Sequence, residues 1–254
     1  MIEEIRKMES GFFGFGRWEA PYWFIGPEPG GDNNSLRAKK WITDFGMNEL
    51  VDCKDFHLAI NETKWYQEKP LLQPTWRRLM VLLVAFKSVP LNQDELRSYQ
   101  CAHWGRRDLK ACKDETCVID LTGLSFKSVK DSDHLYSNTK GIGSKADMLQ
   151  KKQMRAKCIG QKIHEGGYTP ELVVMYGYSH QKLWDEISGI SLGRQMRRKA
   201  GKPYERPEIH HLIWNEQKGG STVFVYAPHP NARGFTDLDW ETMGQRARER
   251  RDEK

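Results

Sequence analysis

Three side chains stand where chemistry could be done: Glu28, Asp120 and His229. Each lies at the end of a short apolar run. Glu28 sits in Tyr22-Trp23-Phe24-Ile25-Gly26-Pro27-Glu28-Pro29-Gly30-Gly31, where an apolar run passes straight into a loop set by prolines and glycines. Asp120 follows Cys117-Val118-Ile119, and His229 lies in Ala227-Pro228-His229-Pro230-Asn231-Ala232-Arg233-Gly234-Phe235, directly after Thr222-Val223-Phe224-Val225-Tyr226. A carboxylate and an imidazole on stiff loops are the side-chain types of an acid–base site. The plainer readings are a solvated Glu28 in a turn, Asp120 as a helix cap or turn residue, and His229 as a satisfied loop histidine.

Metal chemistry has weaker support. Cysteines stand at Cys53, Cys101, Cys112, Cys117 and Cys158, an odd total of five. Cys101, His103, Cys112 and Cys117 are close in sequence, but no CxxC pair is present, so reduced thiols are expected and no metal. The run Gly141-Ile142-Gly143-Ser144-Lys145 could cradle a phosphate. It equally starts a helix, with Ser144 as cap and Asp147 three residues on, and that reading is preferred.

The elements that must position these residues alternate. Apolar strands are expected at 22–25, 117–121, 172–176 (closed by Gly177) and 222–226. Helices are expected in the charged first residues, at Leu36–Phe45 behind Asn33-Asn34-Ser35, at Trp76–Phe86, from Pro90 to Tyr99, from Ser144 to about His164, from Ser179 to Ile187, and from Leu238 onward. Residues 11–18, alternating Gly with aromatics, suggest an extended cover, and 46–74 resist assignment. This pattern predicts an α/β fold: a three-layer α/β/α sandwich on a central four-stranded parallel sheet. One domain spans 1–254, with a basic insertion near 125–150 and a charged tail, 246–254, expected to fray. The strand ends converge on one rim, where open α/β sheets hold ligands.

Composition narrows the partners. The net charge is +6, the pI about 9.0, and there are nine Trp, a combination that favours nucleic acid and base stacking. No run of 18 apolar residues and no leader is apparent, so a soluble, unexported, cytoplasmic protein away from membranes is expected. The basic runs 125–150 and 193–206, the latter with Arg194, Arg197, Arg198, Lys199, Lys202 and Arg206, are candidates for a phosphate-binding face.

In order and spacing of strands over about residues 20–240, the chain resembles the uracil-DNA glycosylase superfamily. Gly26-Pro27-Glu28-Pro29-Gly30 is similar to its Gly-x-Asp/Asn-Pro loop after the first strand, and His229-Pro230-Asn231-Ala232 to its His-Pro-Ser-Pro loop after the fourth. The resemblance implies a monofunctional glycosylase of base excision repair. Such an enzyme flips uracil, or another deaminated base, out of DNA and hydrolyses its bond to the sugar, with no cofactor. By position it gives Glu28 the attacking water, where the family has Asp, Asn or Ala. It gives His229 the carbonyl oxygen of the departing base. Asp120 falls where many members read the uracil edge with Asn, and an ionised Asp could only accept the N3–H. Trp41, 13 positions after Glu28, falls near the family's stacking Phe, although a core role suits a helix-face aromatic as well. Gly30 falls where uracil-specific members exclude the thymine methyl with Tyr. Gly26 and Pro27 complete the base pocket. Gly177, Ser179, Pro230, Asn231, Arg233 and Phe235 form the rim that would meet DNA, with Arg233 or Phe235 as a wedge. The partner implied is DNA carrying uracil or an abasic site, bound by a monomer. A binder of such DNA that has lost catalysis is the competing reading.

Overall fold

The computed structural model describes residues 1–31, 33–107, 115–126, 144–191, 208–215 and 220–253. In chain order these form α1 (Ile2–Gly11), β1 (Gly14–Phe15), β2 (Tyr22–Gly26), α2 (Asn34–Thr43), β3 (Leu50–Val51), α3 (Cys53–Ala59), α4 (Pro74–Lys87), α5 (Gln93–Ala102), β4 (Thr116–Asp120), α6 (Lys145–His164), β5 (Leu172–Tyr176), α7 (Gln181–Ser188), β6 (Glu208–Asn215), β7 (Gly220–Ala227) and α8 (Asp237–Asp252). The fold is α/β.

The strands form one mixed sheet in the order β3-β1-β4-β2-β5-β7-β6. Its middle, β4-β2-β5-β7, is parallel throughout and consists of the four apolar runs. The sheet as a whole is not the four-stranded parallel one expected. β1 adds antiparallel to β4 and carries β3, and β6 adds antiparallel to β7. The 11–18 stretch is therefore partly strand. At Gly14 a Cβ would lie 2.1 Å from the Val118 carbonyl oxygen, so glycine is what lets β1 reach β4.

The path through the parallel strands fixes the site. The chain leaves β2, adds β4 on one side, then crosses to the other side for β5 and β7. Direction reverses at β2, and such a reversal opens a crevice beyond the carboxyl ends of the strands.

Both faces of the sheet are covered. Phe24 belongs to one apolar cluster, with Met8, Ala38, Phe56, Leu79, Leu83 and Trp240 from α1, α2, α3, α4 and α8. Trp23 and Ile25, one step away along β2, belong to the other, with Ala156, Ile159 and Ile163 of α6 and Trp184 and Ile187 of α7. Ser144 and Asp147 cap α6 reciprocally, as the sequence suggests. α8 carries the charged tail through Asp252, and Arg251 reaches back over the Phe86 ring, 4.8 Å from its centre. Most of the basic insertion (127–143), the loop 108–114 and the run 192–207 lie outside the described residues. Among the described residues no helix is long and apolar enough to cross a membrane.

Candidate functional site

The β2 end is squeezed between its neighbours. A Cβ on Gly26 would lie 2.2 Å from the Tyr176 hydroxyl oxygen and 2.9 Å from an Asp120 carboxylate oxygen, so the closing residues of β4 and β5 meet over a glycine. The loop that follows is stitched to the segment after β4. Leu121 N–H donates to the Gly26 carbonyl at 2.9 Å and Phe126 N–H to that of Pro29 at 3.1 Å. Asn34 clasps Ser125, its amide donating to the Ser125 carbonyl at 2.9 Å and its oxygen accepting the Ser125 N–H at 2.8 Å. Glu28 on this loop accepts a hydrogen bond from the buried Lys152 ammonium of α6 at 3.2 Å.

The β7 loop is held as firmly. Ala232 N–H donates to the His229 carbonyl at 2.8 Å, the Asn231 side chain donates to Thr75 Oγ1 at 3.1 Å, and the Arg78 guanidinium donates to the Pro230 carbonyl. Asn231 N–H donates to His229 Nδ1 at 3.1 Å. A nitrogen that accepts carries no proton, so the neutral ring holds its proton on Nε2 and presents it as a donor. Burial lowers the His229 pKa, against the pull of the Glu28 charge, and so keeps the ring neutral.

Glu28 and His229, about two hundred residues apart in sequence, line one cavity of about 570 Å³ at the switch-point crevice. Pro27, Gly30, Asp120, Gly177, Ser179 and Asn231 line it too. Gly26 lies behind it, against Tyr176 and Asp120. Arg233 and Phe235 line a neighbouring depression of about 410 Å³, with Asn231 common to both. Trp41 is elsewhere. It is buried in the core edge-on to Phe12, and its indole N–H donates to the Asn48 carbonyl at 2.7 Å. The helix that carries it is in place, but its apolar face turns toward α1 and α3, so the base-stacking role assigned to Trp41 is withdrawn.

Residues not singled out from the sequence supply much of the wall: Arg37 from α2, His57 from α3, Trp65, Trp76 at the start of α4, Tyr176 and His180. His57 Nδ1–H donates to the Cys53 carbonyl at 2.6 Å, which leaves Nε2 as an acceptor. Burial pulls His57 and His180 down to about 4, so both are neutral. Asp120 moves the other way. Burial pushes it up to about 7, although the guanidinium groups of Arg155 and Arg37 act against the rise. A carboxyl near that value can accept a hydrogen bond or donate one.

Among the described residues no three His, Cys, Asp or Glu gather as a metal site. No protein-family model matches the chain, and no curated protein matches it.

Proposed function

We propose that this protein is a DNA glycosylase of the uracil-DNA glycosylase kind, which flips a deaminated base out of DNA and hydrolyses its bond to deoxyribose, leaving an abasic site. One observation carries the reading: an acid from the first parallel strand's loop and a neutral imidazole from the last one's loop share a cavity, with the imidazole proton on Nε2. On this reading the parallel middle of the sheet with its two helical layers is the superfamily's α/β/α sandwich, and β1, β3 and β6 are additions to it.

The chemistry follows from the groups. Breaking the glycosidic bond leaves positive charge on the sugar and negative charge on the base, as in glycoside hydrolysis. His229 Nε2–H serves the base oxygen where charge develops. Glu28, fixed by Lys152, orients the water or balances the sugar cation. Asp120 reads the base edge, as acceptor when ionised and as donor when protonated. Trp65, Trp76 and Tyr176 give the swung-out ring flat surfaces to replace the stack it left. The loop with Arg233 and Phe235, beside Arg77 and Arg78, meets the backbone or fills the gap in the helix.

The engagement of Glu28 by Lys152 also favours a second reading, a binder of uracil or abasic DNA with little turnover. Uracil-containing oligonucleotides, single- and double-stranded, followed by alkaline cleavage at abasic sites, separate the two. Glu28→Gln and His229→Ala are each expected to slow base release by about 10²-fold or more. Undiminished release by both variants removes the assignment. Tight binding of abasic DNA by the wild type without release leaves only the binder.

A further inference from the structure

Three neighbouring strands end in one row. Gly26 of β2 pairs with Asp120 of β4, and because Ile25 pairs with Met175, one step further along brings Tyr176 of β5 to the other side of Gly26. Residues two apart on a strand share a face. Val118 and Val174, two before Asp120 and Tyr176, belong with Phe24 and Trp76 to one apolar cluster, and Val118 and Trp76 also line the cavity. Asp120 and Tyr176 therefore rise on the cavity face, with no side chain between them. They close on that gap: a Cβ on Gly26 would lie 2.2 Å from Tyr176 Oη and 2.9 Å from Asp120 Oδ1.

The chain satisfies neither group. Asp120 is 6% exposed and Tyr176 5%, yet neither the carboxyl nor the hydroxyl hydrogen-bonds to any described residue. Arg155 donates to the Asp120 backbone carbonyl instead, at 2.7 Å. Unlike Nε and Nη2 of Arg37, these atoms are not sealed off, and both side chains line the cavity. Buried polar groups are normally paired, and these two are open to whatever enters. Side by side, a carboxylate and a phenol offer an acceptor and a donor. That is the complement of the imide edge of uracil, where N3–H donates and the neighbouring O4 accepts. A carboxylate alone covers half of that edge, because it accepts N3–H and repels O4. A protonated carboxyl is donor and acceptor in one group, as an amide is, and covers both.

We infer that Tyr176 reads the base together with Asp120, its hydroxyl donating to O4 while the carboxylate accepts N3–H. The inference rests on the glycosylase reading for its substrate, and on the row of three strand ends for its geometry. It makes the need for the hydroxyl depend on pH. Burial pushes Asp120 up to about 7, so the carboxyl changes form between pH 5.5 and 8. The charged groups that act on it are Arg155 and Lys152 from α6, Arg37 from α2 and Glu28 from the β2 loop. Beyond Tyr176 stands the His229 ring, 5.7 Å from the phenol ring. Comparing variant with wild type at a single pH cancels what these groups contribute to both.

The test uses the full chain, with oligonucleotides bearing one uracil for release. Binding of free uracil is followed by quenching of tryptophan fluorescence, since Trp65 and Trp76 line the cavity. Tyr176→Phe keeps the ring and removes an unpartnered hydroxyl, so its melting temperature should stay within about 2 °C of wild type. At pH 8 the variant is expected to release and bind uracil about tenfold less well than wild type. At pH 5.5, where the protonated carboxyl supplies the donor, the deficit is expected to shrink to within about twofold. In an Asp120→Asn background, whose amide is donor and acceptor at every pH, Tyr176→Phe is expected to cost no more than about twofold at pH 8. A deficit equal at both pH values, or one that persists beside Asn at 120, overturns the pairing. So does a folded Tyr176→Phe that matches wild type at pH 8, or a larger fall in melting temperature, which would show the hydroxyl bonded within the fold. In each of these cases release of uracil by the wild type leaves the glycosylase reading intact. Tyr176-dependent binding of uracil without release keeps the recognition and removes the hydrolysis, and neither release nor binding by the wild type overturns both.

Discussion

Replacing Asp120 with Asn should change how stability depends on pH, in a direction and amount that follow from where the carboxyl sits. Burial at the end of β4 raises its pKa from 3.8 to about 7. Between those values the folded chain keeps a proton that the unfolded chain has lost, so this group makes stability fall as pH rises. The full effect is at most about 4 kcal/mol, reached above about pH 7. His57 and His180 act in the opposite sense. Burial lowers each from 6.5 to about 4, so over that interval the unfolded chain takes up protons that the folded chain refuses, and stability rises with pH. Each contributes up to about 3 kcal/mol, which makes the wild type gain about 3 kcal/mol net from pH 4 to 6.5. Asp120→Asn removes the opposing contribution. The unfolding free energy of the variant minus that of the wild type should therefore grow by about 3 kcal/mol between pH 4.5 and 7.5. Urea unfolding of both proteins at the two pH values measures it. Any packing effect of the amide shifts both values alike. A difference that stays constant with pH would refute the placement of a buried, proton-holding carboxyl at this strand end.

Two further substitutions separate the scaffold from the cavity. Gly26→Ala should destabilise by about 1–3 kcal/mol, lowering the melting temperature by several degrees, because the new Cβ would meet Tyr176. Adding Tyr176→Phe should not rescue it, since Cζ itself is 2.5 Å from that Cβ, and rescue in a thermal melt would show that the hydroxyl alone was in the way. Trp41→Ala should cost about 3–5 kcal/mol of stability with base release per folded molecule unchanged. Trp76→Ala should raise KM for uracil-containing oligonucleotides about tenfold or more, as loss of a stacking surface does. A Trp41→Ala protein that stays folded but no longer releases base would return Trp41 to the site.

How much of this was legible in the sequence depends on scale. The four parallel strands were, because each is an unbroken apolar run stopped by a turn former. β1 and β3, two residues each, are too short to show any period, and in β6 the pair His210-His211 interrupts the alternation that marks a strand. α3, only seven residues long, disappears into a stretch of mixed character and takes His57 with it. Glu28 and His229 could be brought together on paper because strand ends share a rim. Arg37 could not. It lies four residues before Trp41, on the same side of the same helix, and the sequence favours the aromatic residue as the ligand contact. Burial changes that choice: the indole finds a carbonyl partner and a place in the core, while the mostly buried Arg37 contributes to the cavity wall.

The switch in strand direction does more than open a crevice. The segment that makes the crossing from β4 to β5 includes α6, and α6 brings the cations that hold the rim. Lys152 engages Glu28. One turn on, Arg155 Nε–H donates to the Asp120 carbonyl at 2.7 Å, and its other donors reach the carbonyls of Glu9 and Phe12 at the end of α1. The two acids of the site are thus steadied from one face of the sheet by a single helix. Arg37 approaches Asp120 from the opposite face, on α2. Of these three buried cations only Arg37 has two nitrogens without a hydrogen bond to any described residue. Cations that serve the architecture have their acceptors built in. Each nitrogen of Arg155 has a backbone carbonyl acceptor, whereas Nε and Nη2 of Arg37, sealed against aromatic rings, have none among the described residues.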